Sequence, residues 1–236
     1  MRIAIAGGTG TVGRLVTREV ERRGHDAVVL ARSVGVDLAT GSGLVGMLDG
    51  ADAVIDAASV ATMSAKDATA FFRAASGTLL AAAERAGVRH AVLLSIVGID
   101  RIPHGYYAGK LAQEEAYARA SVPVSVVRAT QFHEFAGQVA AQARVGPLQL
   151  APRARVQPIA ADAVASHLVS LAEGDPQGRS TDIAGPQEEQ LSRMVREWER
   201  HADHRRPVLP VDIPSAQMRG MRRGLALPGP DALILG

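Results

Sequence analysis

Residues 2–13, RIAIAGGTGTVG, decide the reading of this chain. RIAIA, residues 2–6, is a short apolar run of strand length. GGTGTVG, residues 7–13, leads directly into segment 11–23, where Val12, Leu15, Val16 and Val20 recur at helical spacing. The order is strand, glycine turn, helix. Two glycine spacings fit the turn: Gly7, Gly10, Gly13 and Gly8, Gly10, Gly13. Glycine permits the tight turn and lets backbone approach a pyrophosphate, and a closing glycine lets the helix lie close on the strand. The helix N-terminus adds free N–H groups and a positive dipole end. A glycine-rich turn without a ligand is the plain alternative, but the position after a first strand favours a dinucleotide. No Gly-Lys-Ser/Thr follows, which excludes a P-loop.

The same alternation continues outward. Residues 27–31 (AVVLA), 53–56 (AVID), 90–96 (HAVLLSI) and 124–128 (VSVVR) read as further strands. Helical patterns at 41–49, 65–87 and 106–120 separate them. Continuous apolar strands, each followed by a helix, imply a parallel sheet covered on both faces. Right-handed crossovers wind such a sheet in the Rossmann manner, so the expected class is α/β, doubly wound. Beyond residue 130 the rhythm loosens: helix at 132–144, strand at 155–160, helix at 161–173 opening near Asp162, strand at 181–184, helix at 188–203. The tail from Arg205 is rich in proline and glycine. We expect a single domain over residues 1–236, with a core Rossmann part at 1–130. Residues 130–155 and 185–236 form a small C-terminal substrate lobe in this reading.

Composition narrows the function classes. The chain has 236 residues, 47% hydrophobic and 21% charged, with a formal net charge of +2. Its arginines are scattered, with no basic stripe and interleaved aromatics, so no nucleic-acid partner is expected. The absence of cysteine excludes disulfides, thiolate ligands and cysteine nucleophiles. No apolar run reaches the roughly 18 residues of a membrane span, and MRIAIAGGTG is too short an apolar start for a signal peptide. A cytoplasmic protein with no membrane partner is the expectation. His201 and His204 in HADH have metal-pair spacing but no third ligand, so no metal is expected. The oligomeric state reads as monomer or homodimer.

Cofactor choice turns on the end of the second strand. An NAD site carries an acidic residue there for the ribose 2′-hydroxyl, whereas this strand ends Leu30-Ala31-Arg32-Ser33. A guanidinium and a hydroxyl suit a 2′-phosphate, which points to NADP(H), and Arg14 adds a second charge nearby. Asp37, beside Leu38, either accepts from an adenine amino group or caps the next helix. Ser95 stands at the end of the fourth strand, and Tyr106 and Lys110 follow at i,i+4 on one helix face. In this arrangement Tyr106 gives a proton to a carbonyl oxygen, Lys110 lowers the phenol pKa, and Ser95 holds the substrate oxygen. Tyr107 is a rival acid, since i,i+3 also reaches Lys110. The chain has 24 arginines but only two lysines, Lys66 and Lys110, which suggests that an ammonium is needed at 110.

GGTGTVG, LARS, DAAS (56–59), LLSIVGID, YYAGK and VVRATQFHEF together resemble the atypical short-chain dehydrogenase/reductases, nearest the NmrA-like NAD(P)H-binding branch. The resemblance runs from residue 1 to about 185. It implies that Gly7, Thr9, Gly10, Thr11, Val12 and Gly13 carry the pyrophosphate, and that Arg32 and Ser33 hold the 2′-phosphate. Asp37 and Leu38 would flank adenine, and Ala57, Ala58 and Ser59 would line the cofactor. Ala129, Gln131 and His133 would border the nicotinamide, with Lys110 on its ribose. Ser95, Tyr106 and Lys110 would match the family's Ser and YxxxK, and Asp162 its later structural aspartate. DAAS departs from the usual Asn-Ala-Gly pattern, so an asparagine of the proton relay is missing. The implied activity is an NADP-dependent oxidoreductase reducing a carbonyl or conjugated double bond of a small organic substrate. The alternatives are a non-catalytic NADP(H) sensor and a non-redox isomerase or cyclase.

Overall fold

The computed structural model describes residues 1–202 and 206–236. Its centre is a parallel sheet of β1 (Arg2–Ala6), β2 (Asp26–Leu30), β3 (Ala53–Asp56), β4 (His90–Ile96) and β5 (Val124–Ala129). Helices α1 (Thr11–Arg22), α2 (Ala65–Arg85) and α3 (Tyr106–Ala118) are the crossovers. Next come α4 (Phe135–Gln142), β6 (Arg144–Val145), β7 (Leu148–Pro152), β8 (Arg155–Val156), α5 (Ala161–Glu173), β9 (Gly178–Arg179) and β10 (Ile183–Ala184). The chain ends with β11 (Glu189–Gln190), α6 (Leu191–His201), β12 (Val208–Val211), α7 (Ala216–Arg222) and β13 (Leu233–Ile234).

The main sheet runs β2-β1-β3-β4-β5-β10-β13, with β9 also paired to β5. The chain leaves β1 for β2 on one side and returns to β3 on the other. That reversal opens a crevice at the carboxyl ends of β1 and β3, the usual ligand site of such sheets. Strand alternation assigns the two faces. Ile3, Ile5, Ala53, Ile55, Val92 and Leu94 pack with Val12, Val16 and Val20 of α1 and Val164 and Leu168 of α5. Ala4, Ala6, Val54, Ala91 and Leu93 pack with Ala75 and Leu79 of α2 and Tyr117 of α3. Each fully buried large apolar side chain contributes roughly 2 kcal/mol. A third apolar cluster lies apart from the sheet: Ala136 and Ala140 of α4, Leu191, Met194 and Val195 of α6, and Met218 and Met221 of α7. Its platform from the sheet half is Ile99, Ile102 and Tyr107.

The helix expected at 41–49 is a run of turns instead. Gly41, Gly43, Gly46 and Gly50 all have φ between 70° and 76°, which breaks the right-handed repeat. The helix expected at 188–203 begins at Leu191, because Glu189–Gln190 pairs with β8. Residues 203–205, which include His204 of the histidine pair, lie outside the described residues. Among the described residues no helix is long and apolar enough to cross a membrane.

Candidate active site

The glycine loop occupies the crevice. Gly7 has φ 74°, and a Cβ there would lie 2.8 Å from the Ala58 Cα and 2.9 Å from the Ala57 carbonyl oxygen. The loop is therefore pressed against the Ala57–Ala58 segment that follows β3. Gly13 is tighter still: a Cβ would fall 2.1 Å from the Gly7 carbonyl oxygen. At α1 the N-cap is Gly10, and no side chain caps the helix. The first-turn N–H groups of Thr11, Val12 and Gly13 thus face the crevice mouth without side-chain acceptors. A bare, uncapped cradle of this kind fits a pyrophosphate.

Arg32 and Ser33 lie exposed in a single 3-10 turn after β2, and Arg14 is exposed at the start of α1. Neither arginine has an ion-pair partner among the described residues. Asp37 accepts from the Ala39 N–H at 2.8 Å, closing a local turn, and Leu38 is buried in the α2/α3 core. Asp37 thus closes a turn, since the helix it was expected to cap is absent.

Tyr106 opens α3 and its hydroxyl lies 2.9 Å from the Ser59 Oγ, on the loop after β3. Phe72 of α2 meets its ring edge-on at 5.5 Å between centroids. Gly109 allows this proximity, since a Cβ there would lie 2.7 Å from Ala68. Tyr107 points the other way. It is buried in the third cluster, its hydroxyl accepts from Gln131 Nε2 at 3.2 Å, and burial pushes its pKa up to about 12. Of the two tyrosines, Tyr106 is the one that meets the loop after β3. Gln131 keeps its Oε1 buried without a hydrogen bond, an acceptor suited to a carboxamide. Ala129 is buried at the end of β5, and His133 is exposed beyond it.

The Tyr106 phenol lies above, not below, its ordinary pKa. Burial raises it, opposed by the Ser59 hydrogen bond. The Lys110 ammonium is buried beneath α3, where it donates to the Leu94 carbonyl at 2.8 Å and to Gln113 Oε1. It also stands 4.8 Å from the centre of the Phe72 ring. Gln113 Nε2 and the Tyr117 hydroxyl then donate to Asp56 Oδ2 at 2.8 and 2.9 Å, and the Ala58 N–H donates to Oδ1 at 2.9 Å. Burial raises the Asp56 pKa, opposed chiefly by the Lys110 charge. Burial likewise draws Lys110 down to about 8, opposed by Asp56 and then Glu114. Three donors on one carboxylate fit its ionised form.

Ser95 is displaced from its expected place. It shares the β4 face of Ala91 and Leu93, so it lies buried under α3, beside Arg128 of β5. Its Oγ is buried there without a hydrogen-bond partner among the described residues, and the neighbouring Glu114, raised by burial, is brought below its ordinary pKa chiefly by its hydrogen bonds to Arg128. Glu114 pairs with Arg128 at 2.8 Å, not with Lys110. Strand alternation is the cause: Ile96, the next residue, is the one that packs with Tyr106 and Tyr107. The hydroxyl that meets Tyr106 belongs to Ser59.

Asp56, Gln113, Tyr117 and Phe72 are the residues that sequence reasoning passed over. Lys110, Gln113 and Tyr117 sit at i, i+3 and i+7, one face of α3, which was a visible signal.

Residues 3–123 match the NAD dependent epimerase/dehydratase family. The chain belongs to that family. A nicotinamide cofactor follows, and the resemblance to atypical short-chain dehydrogenase/reductases is borne out. No curated protein matches the sequence. Among solved structures, the fold is similar to MoeE5 in complex with UDP-glucose and NAD, at 18% identity, covering 96% of each chain with a TM-score of 0.71. It is similar to the NADPH-dependent quinone oxidoreductase QOR2 of Escherichia coli complexed with NADPH. That match has 17% identity, 95% coverage of this chain, 90% of the other and a TM-score of 0.69. A UDP-N-acetylglucosamine 4-epimerase from Bacillus cereus matches at 16% identity, 96% coverage of each chain and a TM-score of 0.68.

Proposed function

We propose that this family member is an NADPH-dependent oxidoreductase that reduces a carbonyl or a conjugated double bond of a small molecule, with Tyr106 as proton donor. The observation that carries the proposal is the Tyr106–Ser59 contact at 2.9 Å. It sets a phenol on the loop that packs against Gly7, at the carboxyl edge of the sheet. The bound dinucleotide supplies hydride. Gly7, Thr9, Gly10, Thr11, Val12 and Gly13 would hold its pyrophosphate, and Ala57, Ala58 and Ser59 its length. Arg32 and Ser33 favour a 2′-phosphate, and Gln131 would accept from the carboxamide. Tyr106, kept protonated by burial, presents its proton to the oxygen on which charge develops. Ser59 orients that hydroxyl, as Ser95 is not placed to do. Lys110 acts from below as an ammonium held by the Leu94 carbonyl and Gln113, with Asp56 beyond Gln113 as its counter-charge.

Calorimetric titration with NADPH and NADH tests the cofactor choice. Arg32→Ala is expected to weaken NADPH by roughly tenfold or more and leave NADH nearly unchanged. Equal losses for both would remove the 2′-phosphate reading. With a reducible substrate in hand, Tyr106→Phe should keep cofactor affinity and lower turnover about 100-fold or more. Full turnover in that variant would end the proton-donor role.

A further inference from the structure

A second charged site lies outside the crevice. The loop after β4 and helix α7 enclose an open cleft of about 500 Å³, lined by Arg101, His104, Arg219, Arg222 and Arg223 over a floor that includes Ile102. No carboxylate lines it. The chain as a whole nearly balances 26 basic against 24 acidic residues, so this concentration is not a consequence of composition. Arg222 has an acid nearby, Asp212 at 2.7 Å, and Arg101 donates to the Leu227 carbonyl at 2.8 Å. Arg219 and Arg223 have no ion-pair partner among the described residues.

The cleft is built by close packing. A Cβ on Gly220 would lie 2.8–3.0 Å from the Ile102 side chain, so glycine lets α7 sit low on the loop with Ile102 in its present rotamer. Ser215 fixes the start of α7, its Oγ accepting from the Met218 N–H at 3.1 Å. The last turn of a helix favours positive charge, which accounts for Arg222 and Arg223. It does not account for Arg101 and His104, which come from a segment more than a hundred residues away. Arg219 and Arg223 stand one turn apart, an i,i+4 like-charge pair that disfavours the helix. Four guanidiniums line one cleft and, among the described residues, only Arg222 is ion-paired, so a multivalent anion relieves the rest, and their forked donors match phosphate oxygens.

We propose that this cleft binds the phosphate group of a small phosphorylated molecule, at a site distinct from the cofactor's. Inorganic pyrophosphate is the probe, titrated calorimetrically at low salt into the intact protein with its cofactor crevice saturated by NADPH, with citrate as the carboxylate comparison. Pyrophosphate should bind in Arg32→Ala as in the native chain, because that variant alters only the cofactor crevice. Arg219→Ala with Arg223→Ala should weaken binding by at least about tenfold, and lysines at both positions should restore part of it. Arg73→Ala with Arg85→Ala, an equal loss of charge on α2, should change it little. Three results overturn the proposal: no binding by the native chain, loss on Arg32→Ala alone, or equal weakening by the α2 pair. Citrate binding as tightly as pyrophosphate would replace phosphate by polycarboxylate. Thermal melting of each variant identifies loss by unfolding, in which case the lysine pair decides.

Discussion

The two halves of the molecule use glycine differently. Around the crevice, Gly7 and Gly13 meet backbone: an added Cβ would lie 2.9 Å from the Ala57 oxygen and 2.1 Å from the Gly7 oxygen, respectively. In the distal lobe, Gly220 meets a side chain, Ile102 at 2.8–3.0 Å, and Gly137 meets the Trp198 ring at 2.7 Å. Backbone anchored at the end of a buried strand cannot retreat, whereas side chains can change rotamer. The crevice is thus specified by hard contacts and the lobe by soft ones. Hard contacts hold a single geometry, whereas soft ones can be repacked.

The largest expected effects separate these regions directly. Gly13→Ala should cost about 3 kcal/mol or more and abolish dinucleotide binding. Gly220→Ala should cost about 1 kcal/mol, since Ile102 can yield and alanine is the better helix former. Urea unfolding of both variants, read as midpoint shifts at constant slope, makes the comparison. Similar losses would break the distinction between hard and soft contacts.

The same contrast explains what the sequence could convey. Strands β1 to β5 and helices α1 to α3 were legible because each is long enough for its apolar period to show, and GGTGTVG has one conformational use. In the lobe, β6, β8 and β11 are two residues each and carry no period. The turns at 41–50 resembled a helix because Leu44 and Leu48 stand four apart, while the glycines at 41, 43, 46 and 50 ruled otherwise. Ser95 was misplaced because the end of a strand was read as the cleft without regard to which face the residue occupies. Asp56 was hidden for another reason. Its partners on α3 are 57 and 61 positions away, and only the placing of β3 beside β4 brings them together.

The buried network gives the smallest and sharpest test. Asp56 belongs to the rigid crevice, through the Ala58 N–H, and also to α3, through Gln113 and Tyr117. If it serves as the counter-charge of Lys110, Asp56→Asn preserves its shape but removes the attraction. With two lysines in the chain, 13Cε-lysine NMR gives two signals, assigned by Lys66→Arg. Lys110 should titrate near 8 in the native chain. Its folded pKa lies below the unfolded value of 10.5, so the unfolded chain binds more protons between the two. The burial cost of the ammonium is then full below pH 8, and stability from this group rises with pH toward 10.5. In Asp56→Asn the titration should move lower, and the window of rising stability should open at lower pH. An unmoved Lys110 signal would leave Asp56 a purely structural ligand of α3. A lowered one ties the lysine's charge to the loop that also holds Ser59, and so places the acid chemistry of α3 on the rigid side of the molecule.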